Sequence, residues 1–319
     1  MKTLRILEWN INQRSSGTRM PSYITKEIQR KDPDIIVLVE FKGQENLSTL
    51  QNTFSSDFYL EHYEGDPTSD YEGDPTSDIE DNGANKGTLK KRNGILIALR
   101  KDKFEEPLSE RHPQKYDETR PDWLNVHTTL LNSKYSLEII GVKVVVGGDT
   151  AEDLENRKSQ IQWLLSQNSP KNSSKKTNQH QLIIGDLNYG PHVTEYLYPE
   201  YIKRNNQKNS RRKDYFINWQ DIIKLMWKYD YVKQDSGLAS PYAPTGTSWK
   251  SERLDWLITT KGISVNKTSE YNCLDWSFGR FNTQYYAFGY TVPEGYFICS
   301  TPSHPDHAIF TAEIQIKTE

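Results

Sequence analysis

The sequence predicts an α/β fold, and three observations support this class. Apolar runs of strand type recur along the chain, at Leu4 to Trp9, Ile35 to Val39 and Leu182 to Ile184, and continuous runs of this kind are typical of strands buried on both faces. Stretches with helical spacing of apolar residues lie between them. The alternation contains no sustained right-handed βαβ repeat, so pattern alone indicates a mixed α/β protein.

The first elements follow from local signals. Strand Leu4 to Trp9 leads through a polar loop to a helix near Ser22 to Arg30. Residues 31–34 end this helix, because a proline disfavours helical geometry in the residue before it. A strand from Ile35 to Glu40 and a helix around Glu45 to Phe54 follow.

An identical octapeptide then stands twice in tandem, at Tyr63 to Asp70 and Tyr71 to Asp78. It is acidic and rich in turn-forming residues, and it has no apolar periodicity with which to bury a face. We therefore expect a flexible surface insertion at about residues 62–92 in one domain that spans residues 1–319. A calcium loop is the alternative, but no glutamate stands where an EF-hand needs one.

The second half of the chain repeats the alternation. A helix begins near Thr150, which is a plausible N-cap, with Glu152 and Asp153 in the first turn, where the helix dipole favours acidic groups. A second helix is predicted at Trp219 to Tyr229. The remaining strands are predicted at Gly94 to Arg100, Trp123 to Leu131, Leu137 to Val146, Leu254 to Thr260 and His307 to Ile316.

Composition limits the possible partners and compartment. The net charge of −3 excludes a global attraction to nucleic acid, so any polyanion site must be a local patch. Met1 to Ile11 lacks the long apolar stretch of a secretion signal, and Cys273 and Cys299 are the only cysteines. We expect a cytoplasmic protein with no disulfide framework and no membrane span, although this single pair stays open.

Five polar segments, most of them at the ends of these strands, predict the chemistry. Acidic and amide side chains at such places are costly unless a charged group meets them. Carboxylate, amide and imidazole groups that converge indicate a hard divalent metal beside a histidine, which suits phosphate ester chemistry. The segments are Glu8-Trp9-Asn10-Ile11-Asn12, Val37-Leu38-Val39-Glu40, Gly185-Asp186-Leu187-Asn188, Arg253-Leu254-Asp255-Trp256 and Ser303-His304-Pro305-Asp306-His307.

In their order along the chain and in their residues, these segments resemble those of the endonuclease/exonuclease/phosphatase superfamily, which includes deoxyribonuclease I and exonuclease III. The resemblance runs from Leu4 to about Phe310. It implies a four-layer αββα sandwich of the deoxyribonuclease I-like type. It also implies a metal-dependent hydrolase that acts on phosphate esters.

The resemblance assigns the metal ligands. It makes Glu40 the carboxylate that binds the metal directly, places the amide oxygen of Asn10 nearby, and makes Asp306 a second metal or hydrogen-bond ligand. Mg²⁺ binds through one or two carboxylates and keeps several waters, so this sparse set favours Mg²⁺ over a caged Zn²⁺. Mn²⁺ is expected to substitute.

The resemblance also assigns the catalytic groups. It makes His307 the general base that activates a water, and Asp255 the carboxylate that orients its imidazole, an arrangement in which the carboxylate also stabilises the imidazolium. Asp186 is expected to position the nucleophile or to protonate the leaving oxygen. The amide of Asn188 is expected to bind a phosphate oxygen. His304 is interpreted as a loop residue.

Lys143 departs from the family pattern, since deoxyribonuclease I has a histidine and exonuclease III a tyrosine at the corresponding place. A lysine could neutralise the phosphate, or protonate the leaving group if its pKa were lowered. The alternative is a strand residue that points to solvent. Arg120 matches a phosphate-contacting arginine of the nuclease branch.

The substrate is predicted from a basic segment. Lys203, Arg204 and Lys208 precede three consecutive basic residues, and such clusters hold backbone phosphates in nucleic-acid binding proteins. A solvated loop is the alternative. The three consecutive residues are Arg211, Arg212 and Lys213.

The sequence thus predicts a metal-dependent phosphodiesterase, a nuclease that hydrolyses DNA or RNA with a histidine-activated water. An inositol polyphosphate-type phosphomonoesterase is the first alternative, although Gly190 stands where that branch has an arginine. A sphingomyelinase-like phospholipase and a non-catalytic binding module on the same fold are further alternatives. Nucleic acid is the predicted partner, and no protein partner is evident from the sequence.

Overall fold

The computed structural model describes most of the two sheets and the helices that cover them. The described residues are 1–11, 20–41, 44–63, 94–111, 120–144, 151–169, 179–189, 220–234, 254–275, 305 and 307–317. Nearly all of the predicted surface insertion lies outside these ranges, and residues 62 and 63 belong to a strand.

The described ranges contain thirteen strands and four helices. The helices are α1 (Ser22–Lys31), α2 (Gln44–Phe54), α3 (Ala151–Gln167) and α4 (residues 220–228). The strands are β1 (Lys2–Asn10), β2 (Ile35–Phe41), β3 (Phe58–Tyr63), β4 (Gly94–Arg100), β5 (Leu108–Arg111), β6 (Asp122–Thr129), β7 (Ser136–Lys143), β8 (Gln179–Asp186), β9 (Tyr231–Lys233), β10 (Asp255–Thr260), β11 (Ile263–Val265), β12 (Cys273–Asp275) and β13 (Ile309–Ile316).

The strands form two sheets. The first has the order β11-β13-β1-β2-β4-β3, with β12 also paired to β13, and the second has the order β5-β6-β7-β8-β10-β9. Each sheet contains one parallel pair, β1 with β2 and β7 with β8, and its other pairs are antiparallel. The two sheets pack face to face, and their inner side chains form one apolar cluster.

Helices cover the outer faces of both sheets. The outer cluster of the first sheet includes Leu7 and Trp9 of β1 together with Ile24 and Ile28 of α1. The outer cluster of the second sheet joins strand residues to α3 and α4. This is a four-layer αββα sandwich, so the predicted fold is confirmed.

The continuous apolar runs follow from this layering. In β1, Ile6 belongs to the inner cluster and Leu7 to the outer one, because successive side chains of a strand point to opposite faces. All seven residues of β2 are buried. A strand that is covered on both faces needs apolar residues at every position, so it shows no alternation.

Short edge strands were not predicted from the sequence. The strands β3, β5, β9, β11 and β12 have three to six residues, and all of them lie at or beside a sheet edge. Predicted strand Leu137 to Val146 ends earlier, at Lys143. Within the described ranges, no helix has the length and apolar content to cross a bilayer.

Candidate active site

Polar side chains from both sheets meet where the inner apolar cluster ends. On the second sheet, Lys143, Asp186 and Asp255 are paired neighbours on three adjacent strands. Two residues deeper along their strands, Ile184 and Leu257 belong to the inner cluster. Side chains two apart share a face, so the polar row continues the inner face of the core by one step.

Asn10 links the two sheets at this place. The amide nitrogen of Asn10 donates to Oε1 of Glu40 at 3.2 Å and to Oδ2 of Asp186 at 2.8 Å. Asn10 ends β1, Glu40 lies near the end of β2, and Asp186 ends β8 on the opposite sheet. Three residues far apart in sequence are therefore held together by one buried amide.

Local backbone irregularities aim two of these side chains. Glu40 has a φ of 55°, and it lies at a bulge where the register of β2 against β4 shifts between Val39 and Phe41. A bulge turns a side chain away from the regular alternation of a strand. Asn188 has a φ of 46°, a left-handed conformation that asparagine adopts more readily than most residues.

Close packing explains why glycine occupies the first position of the Gly-Asp-Leu-Asn segment. Its φ is +140°, and a Cβ at this position would lie 2.1 Å from the carbonyl oxygen of Val142. Only glycine fits such a close backbone approach. The absence of a side chain thus lets β7 and β8 approach each other immediately before Asp186.

Lys143 lies buried between two carboxylates. Its ammonium contacts Oδ2 of Asp186 at 2.5 Å and also pairs with Oε1 of Glu40. Burial alone would lower the pKa of Lys143. The charges of Asp186 and Glu40 raise it by more than burial lowers it, so the pKa lies well above its ordinary value. The burial of Lys143 contradicts the solvent-facing alternative, and the direction of its pKa shift is opposite to the lowered pKa that a proton donor would need.

His307 and Asp255 form a buried pair. Nδ1 of His307 lies 2.7 Å from Oδ2 of Asp255, and Nε2 lies 4.0 Å from Oδ2 of Asp186. The indole nitrogen of Trp9 donates to the carbonyl oxygen of His307 at 3.3 Å, which fixes the backbone of the histidine. With the proton on Nδ1, the imidazole donates to Asp255 and presents Nε2 as an acceptor towards the carboxylate cluster.

Asp186 and Asn188 are also brought together. The backbone N–H of Asn188 donates to Oδ1 of Asp186 at 2.7 Å, while the Asn188 amide nitrogen donates to the carbonyl oxygen of Val144 at 2.6 Å. The backbone carbonyl oxygen of Asn188 accepts a hydrogen bond from the guanidinium of Arg157 at 3.1 Å. An amide nitrogen carries two hydrogens, and the second is the donor that the predicted phosphate contact requires.

Glu8 belongs to this cluster but was missed by the sequence reasoning about site residues. It precedes Asn10 by two positions on β1 and is fully buried, and within the described ranges neither of its carboxylate oxygens has a hydrogen-bond partner. Burial raises the pKa of Glu8 well above its ordinary value, Asp255 and Asp186 raise it further, and His307 and Lys143 oppose them. The signal in the sequence was a charged residue between the apolar residues Leu7 and Trp9.

The donor set fits a divalent cation. Ligand atoms of Asp186, Asp255 and His307 lie within 4.8 Å of one another. With Glu8 and Glu40, four buried carboxylates face the single ammonium of Lys143 within this cluster. Four buried carboxylates in one cluster are costly to ionise together without a cation, and oxygen-rich sets of this kind suit Mg²⁺ or Mn²⁺.

Other predicted residues lie elsewhere. The guanidinium of Arg120 stacks over Trp163 of α3 at 5.1 Å from the ring centroid, so its phosphate role stays a prediction. His127 of β6 lies 3.8 Å from Glu138 on the second sheet, outside this cluster. Outside the described residues lie His304, Asp306, Arg211, Arg212 and Lys213.

Comparisons with known proteins agree with this fold. Residues 7–295 match the model of the Endonuclease/Exonuclease/phosphatase family. None of the curated proteins compared with the chain matches it in sequence.

Solved structures share the fold at low sequence identity. The human Nocturnin catalytic domain with bound sulfate is 16% identical, covers 99% of this chain and 95% of its own, and has a TM-score of 0.52. ANGEL2, a 2',3'-cyclic phosphatase, is 13% identical over 99% of this chain and 96% of its own, with a TM-score of 0.56. D. rerio TDP2 complexed with a single-strand DNA product is 12% identical over 99% and 100%, with a TM-score of 0.53.

Proposed function

Because the chain belongs to the endonuclease/exonuclease/phosphatase family, we propose that it is a divalent-metal-dependent phosphodiesterase that hydrolyses nucleic acid. The family consists of hydrolases that act on phosphate esters, and the finer assignment depends on the site. The observation that carries it is the buried pair of His307 and Asp255 beside Asp186, with Nδ1 and Oδ2 2.7 Å apart.

The His307–Asp255 pair supports activation of a water. Asp255 holds Nδ1, so Nε2 is the atom that would take a proton from the attacking water at the carboxylate cluster. The negative charge of Asp255 would stabilise the imidazolium that forms. Asp186 lies next to Nε2 and accepts from Asn10 and Lys143, which supports a role in positioning the reacting groups.

Glu40 and Asn10, with Asp306, would hold Mg²⁺, and Mn²⁺ would substitute. When bound, the metal would neutralise charge on the phosphate oxygens. Lys143 pairs with Glu40 and Asp186, which supports an electrostatic role: it would fix both carboxylates and present positive charge to the phosphate. Asn188 would contribute a donor to a phosphate oxygen, where charge grows in the transition state.

Proteins that share the fold support nucleic acid as the substrate class. D. rerio TDP2 was solved with a single-strand DNA product, and ANGEL2 with adenosine-2',3'-vanadate. In this chain, Arg120 and the three consecutive basic residues would contact backbone phosphates beyond the scissile bond. The consecutive residues are Arg211, Arg212 and Lys213.

A substrate panel tests the proposal. Single-stranded DNA, duplex DNA, RNA, inositol phosphates and sphingomyelin are incubated with Mg²⁺ and, separately, with EDTA. We expect cleavage of a nucleic acid that EDTA abolishes. Cleavage of inositol phosphates or sphingomyelin alone would instead favour the corresponding alternative function.

A histidine variant tests the mechanism in the same assay. His307→Ala should lower the turnover number by about 100- to 10,000-fold with little change in KM, because the proton transfer occurs only in the transition state. His127→Ala is the matched control, since His127 lies beside Glu138 and not in the cluster. Equal activity of the two variants would contradict the assignment of His307 as the base.

A further inference from the structure

Glu8 is a buried carboxylate that the proposed mechanism does not use. It is 0% exposed, and neither of its oxygens has a hydrogen-bond partner among the residues that the structure describes. A buried polar group without a partner is costly, and an isolated charge costs still more. A glutamate at this position therefore calls for a compensating group, and the structure shows which groups surround it.

The strand register aims Glu8 into the polar cluster. Ile6, two residues earlier on β1, faces the inner apolar cluster, and Asn10, two residues later, contacts Glu40 and Asp186. Side chains at alternate positions of a strand share a face. Glu8 thus lies one step beneath Asn10, between the apolar core and the donors of the site.

The electrostatic neighbours of Glu8 come from the second sheet and from the segment before β13. Asp255 and Asp186 repel its charge, while His307 and Lys143 attract it. The ligand atoms of Asp186, Asp255 and His307 already lie within 4.8 Å of one another. Lys143 is engaged with Glu40 and Asp186, so its ammonium does not also pair with Glu8.

We propose that Glu8 is a carboxylate ligand of the divalent cation, which it reaches from its position on β1 two residues before Asn10. The inference rests on the metal dependence in the proposed function, and it deepens that function by adding a ligand. A cation bound to Glu8 would provide a partner for oxygens that have no hydrogen-bond partner among the described residues, and it would offset the repulsion from Asp255 and Asp186. Mg²⁺ and Mn²⁺ both take carboxylate oxygens of this kind.

Metal binding in the absence of substrate tests the proposal. Isothermal titration of Mn²⁺ into metal-free wild-type protein is compared with Glu8→Gln, which keeps the shape of the side chain without its charge. We expect the affinity of Glu8→Gln for Mn²⁺ to fall by about 10- to 100-fold, the range seen when residues around a metal centre are replaced. The rise in melting temperature on adding Mn²⁺ should shrink in parallel.

Glu138→Gln is the matched control. Glu138 is also buried, but it accepts from Asn125 at 2.8 Å and from Gln181 at 2.5 Å, and it lies five residues before Lys143 on β7, roughly 16 Å along the strand. This variant should lose stability and keep the Mn²⁺ affinity of the wild type. A loss of affinity in Glu138→Gln equal to that in Glu8→Gln would show a general effect of destabilisation and overturn the assignment.

Glu8→Asp provides a second measurement in case Glu8→Gln does not fold. The shorter side chain keeps the charge but moves the carboxylate oxygens away from the site. If Glu8 is a metal ligand, the affinity of Glu8→Asp for Mn²⁺ should therefore be lower than that of the wild type. Unchanged Mn²⁺ affinity in either variant overturns the assignment of Glu8, whereas wild-type protein that binds no Mn²⁺ contradicts the metal dependence of the proposed function itself. Mn²⁺ binding without nuclease activity leaves the role of Glu8 supported and refutes only the substrate class.

Discussion

At the residue scale, the site is organised around the carboxylate of Asp186. One of its oxygens accepts from Asn10 at 2.8 Å and contacts Lys143 at 2.5 Å, and the other accepts from the backbone of Asn188 at 2.7 Å. Nε2 of His307 lies 4.0 Å away. A buried carboxylate with several charged or polar partners is rigidly placed, so the groups around it are placed as well.

Replacing Glu40 should reduce activity without changing the fold. We expect Glu40→Gln to remove most of the activity because it weakens the metal site, while the far-UV and near-UV circular dichroism of the protein stay unchanged. Isothermal titration should show weaker Mg²⁺ binding than in the wild type. Mg²⁺ affinity equal to that of the wild type would remove Glu40 from the set of ligands.

Lys143 should stabilise the metal-free protein more than the metal-bound protein. Lys143→Met leaves Glu40 and Asp186 without their buried ammonium, and breaking a buried ion pair costs about 3 to 5 kcal/mol. A divalent cation compensates the same carboxylates, so the loss of unfolding free energy should be larger in EDTA than in excess Mg²⁺. Urea unfolding under both conditions measures the difference, and equal losses would contradict it.

At the element scale, the local sequence around β8 brings the site residues to the sheet edge. The φ of +140° at Gly185 and the 2.1 Å approach to Val142 leave no room for a Cβ, while Asn188 takes the left-handed conformation at φ 46°. The segment from 185 to 188 thus combines one position for close packing, one for a carboxylate and one for a turn. Each residue type follows from its backbone geometry or its chemistry.

Gly185→Ala should destabilise the protein and displace Asp186. The expected loss of unfolding free energy is about 2 to 4 kcal/mol, since the added methyl group meets backbone atoms in a conformation that is strained for alanine. Urea unfolding with an unchanged m value measures it. Gly141→Ala is the control, because its Cβ meets side-chain atoms of Ile95, Ile97 and Val37 and no backbone atom is among its nearest contacts. Equal losses in the two variants would contradict the backbone argument.

The sequence predicted the long buried elements and missed the short ones for physical reasons. The strand β2 and the central residues of β1 and β8 are buried on both faces, so their apolar residues follow one another without alternation. The strands β9, β11 and β12 have three residues each, too few to show a period. Their positions depend on pairing with distant strands, which a local pattern does not contain.

The candidate site was partly predictable in the same sense. Motif order indicated Asn10, Glu40 and Asp186, and the structure brings them together. The pairing of Lys143 with two carboxylates depends on the register of β7 against β8 and on the packing of one sheet against the other. Glu8 needed the structure, because a glutamate between two apolar residues gives no sign of the groups on the opposite sheet.

At the scale of the whole molecule, the site lies where the two sheets, which are built from different segments of the chain, pack against each other. The first sheet contributes Glu8, Asn10 and Glu40, and the second contributes Lys143 and Asp186. Neither sheet alone carries all the groups of this cluster, so the cluster depends on the packing of the two inner faces. With a net charge of −3, attraction of a polyanionic substrate must come from a local patch.

The basic segment distinguishes a nuclease from an enzyme that acts on small phosphate esters. If Arg211, Arg212 and Lys213 contact a nucleic acid backbone, replacing all three by alanine should weaken substrate binding with little change in the maximal rate. The slope of log affinity against log salt should also flatten, by roughly 0.7 to 0.9 for each phosphate that the protein no longer neutralises. His307→Ala should show the opposite pattern, with a lower rate and nearly unchanged binding.

Binding measured by fluorescence anisotropy at several salt concentrations, together with single-turnover cleavage, separates these effects. Lys224→Ala is a suitable control, since Lys224 is an exposed lysine of α4 that pairs with Asp221 at 3.0 Å. A small phosphate ester has too few charges to reach a distant patch, so its hydrolysis should not change in the triple variant. If the triple variant binds nucleic acid with the affinity and salt slope of the wild type, the segment is solvated surface and nucleic acid as substrate loses its support outside the family.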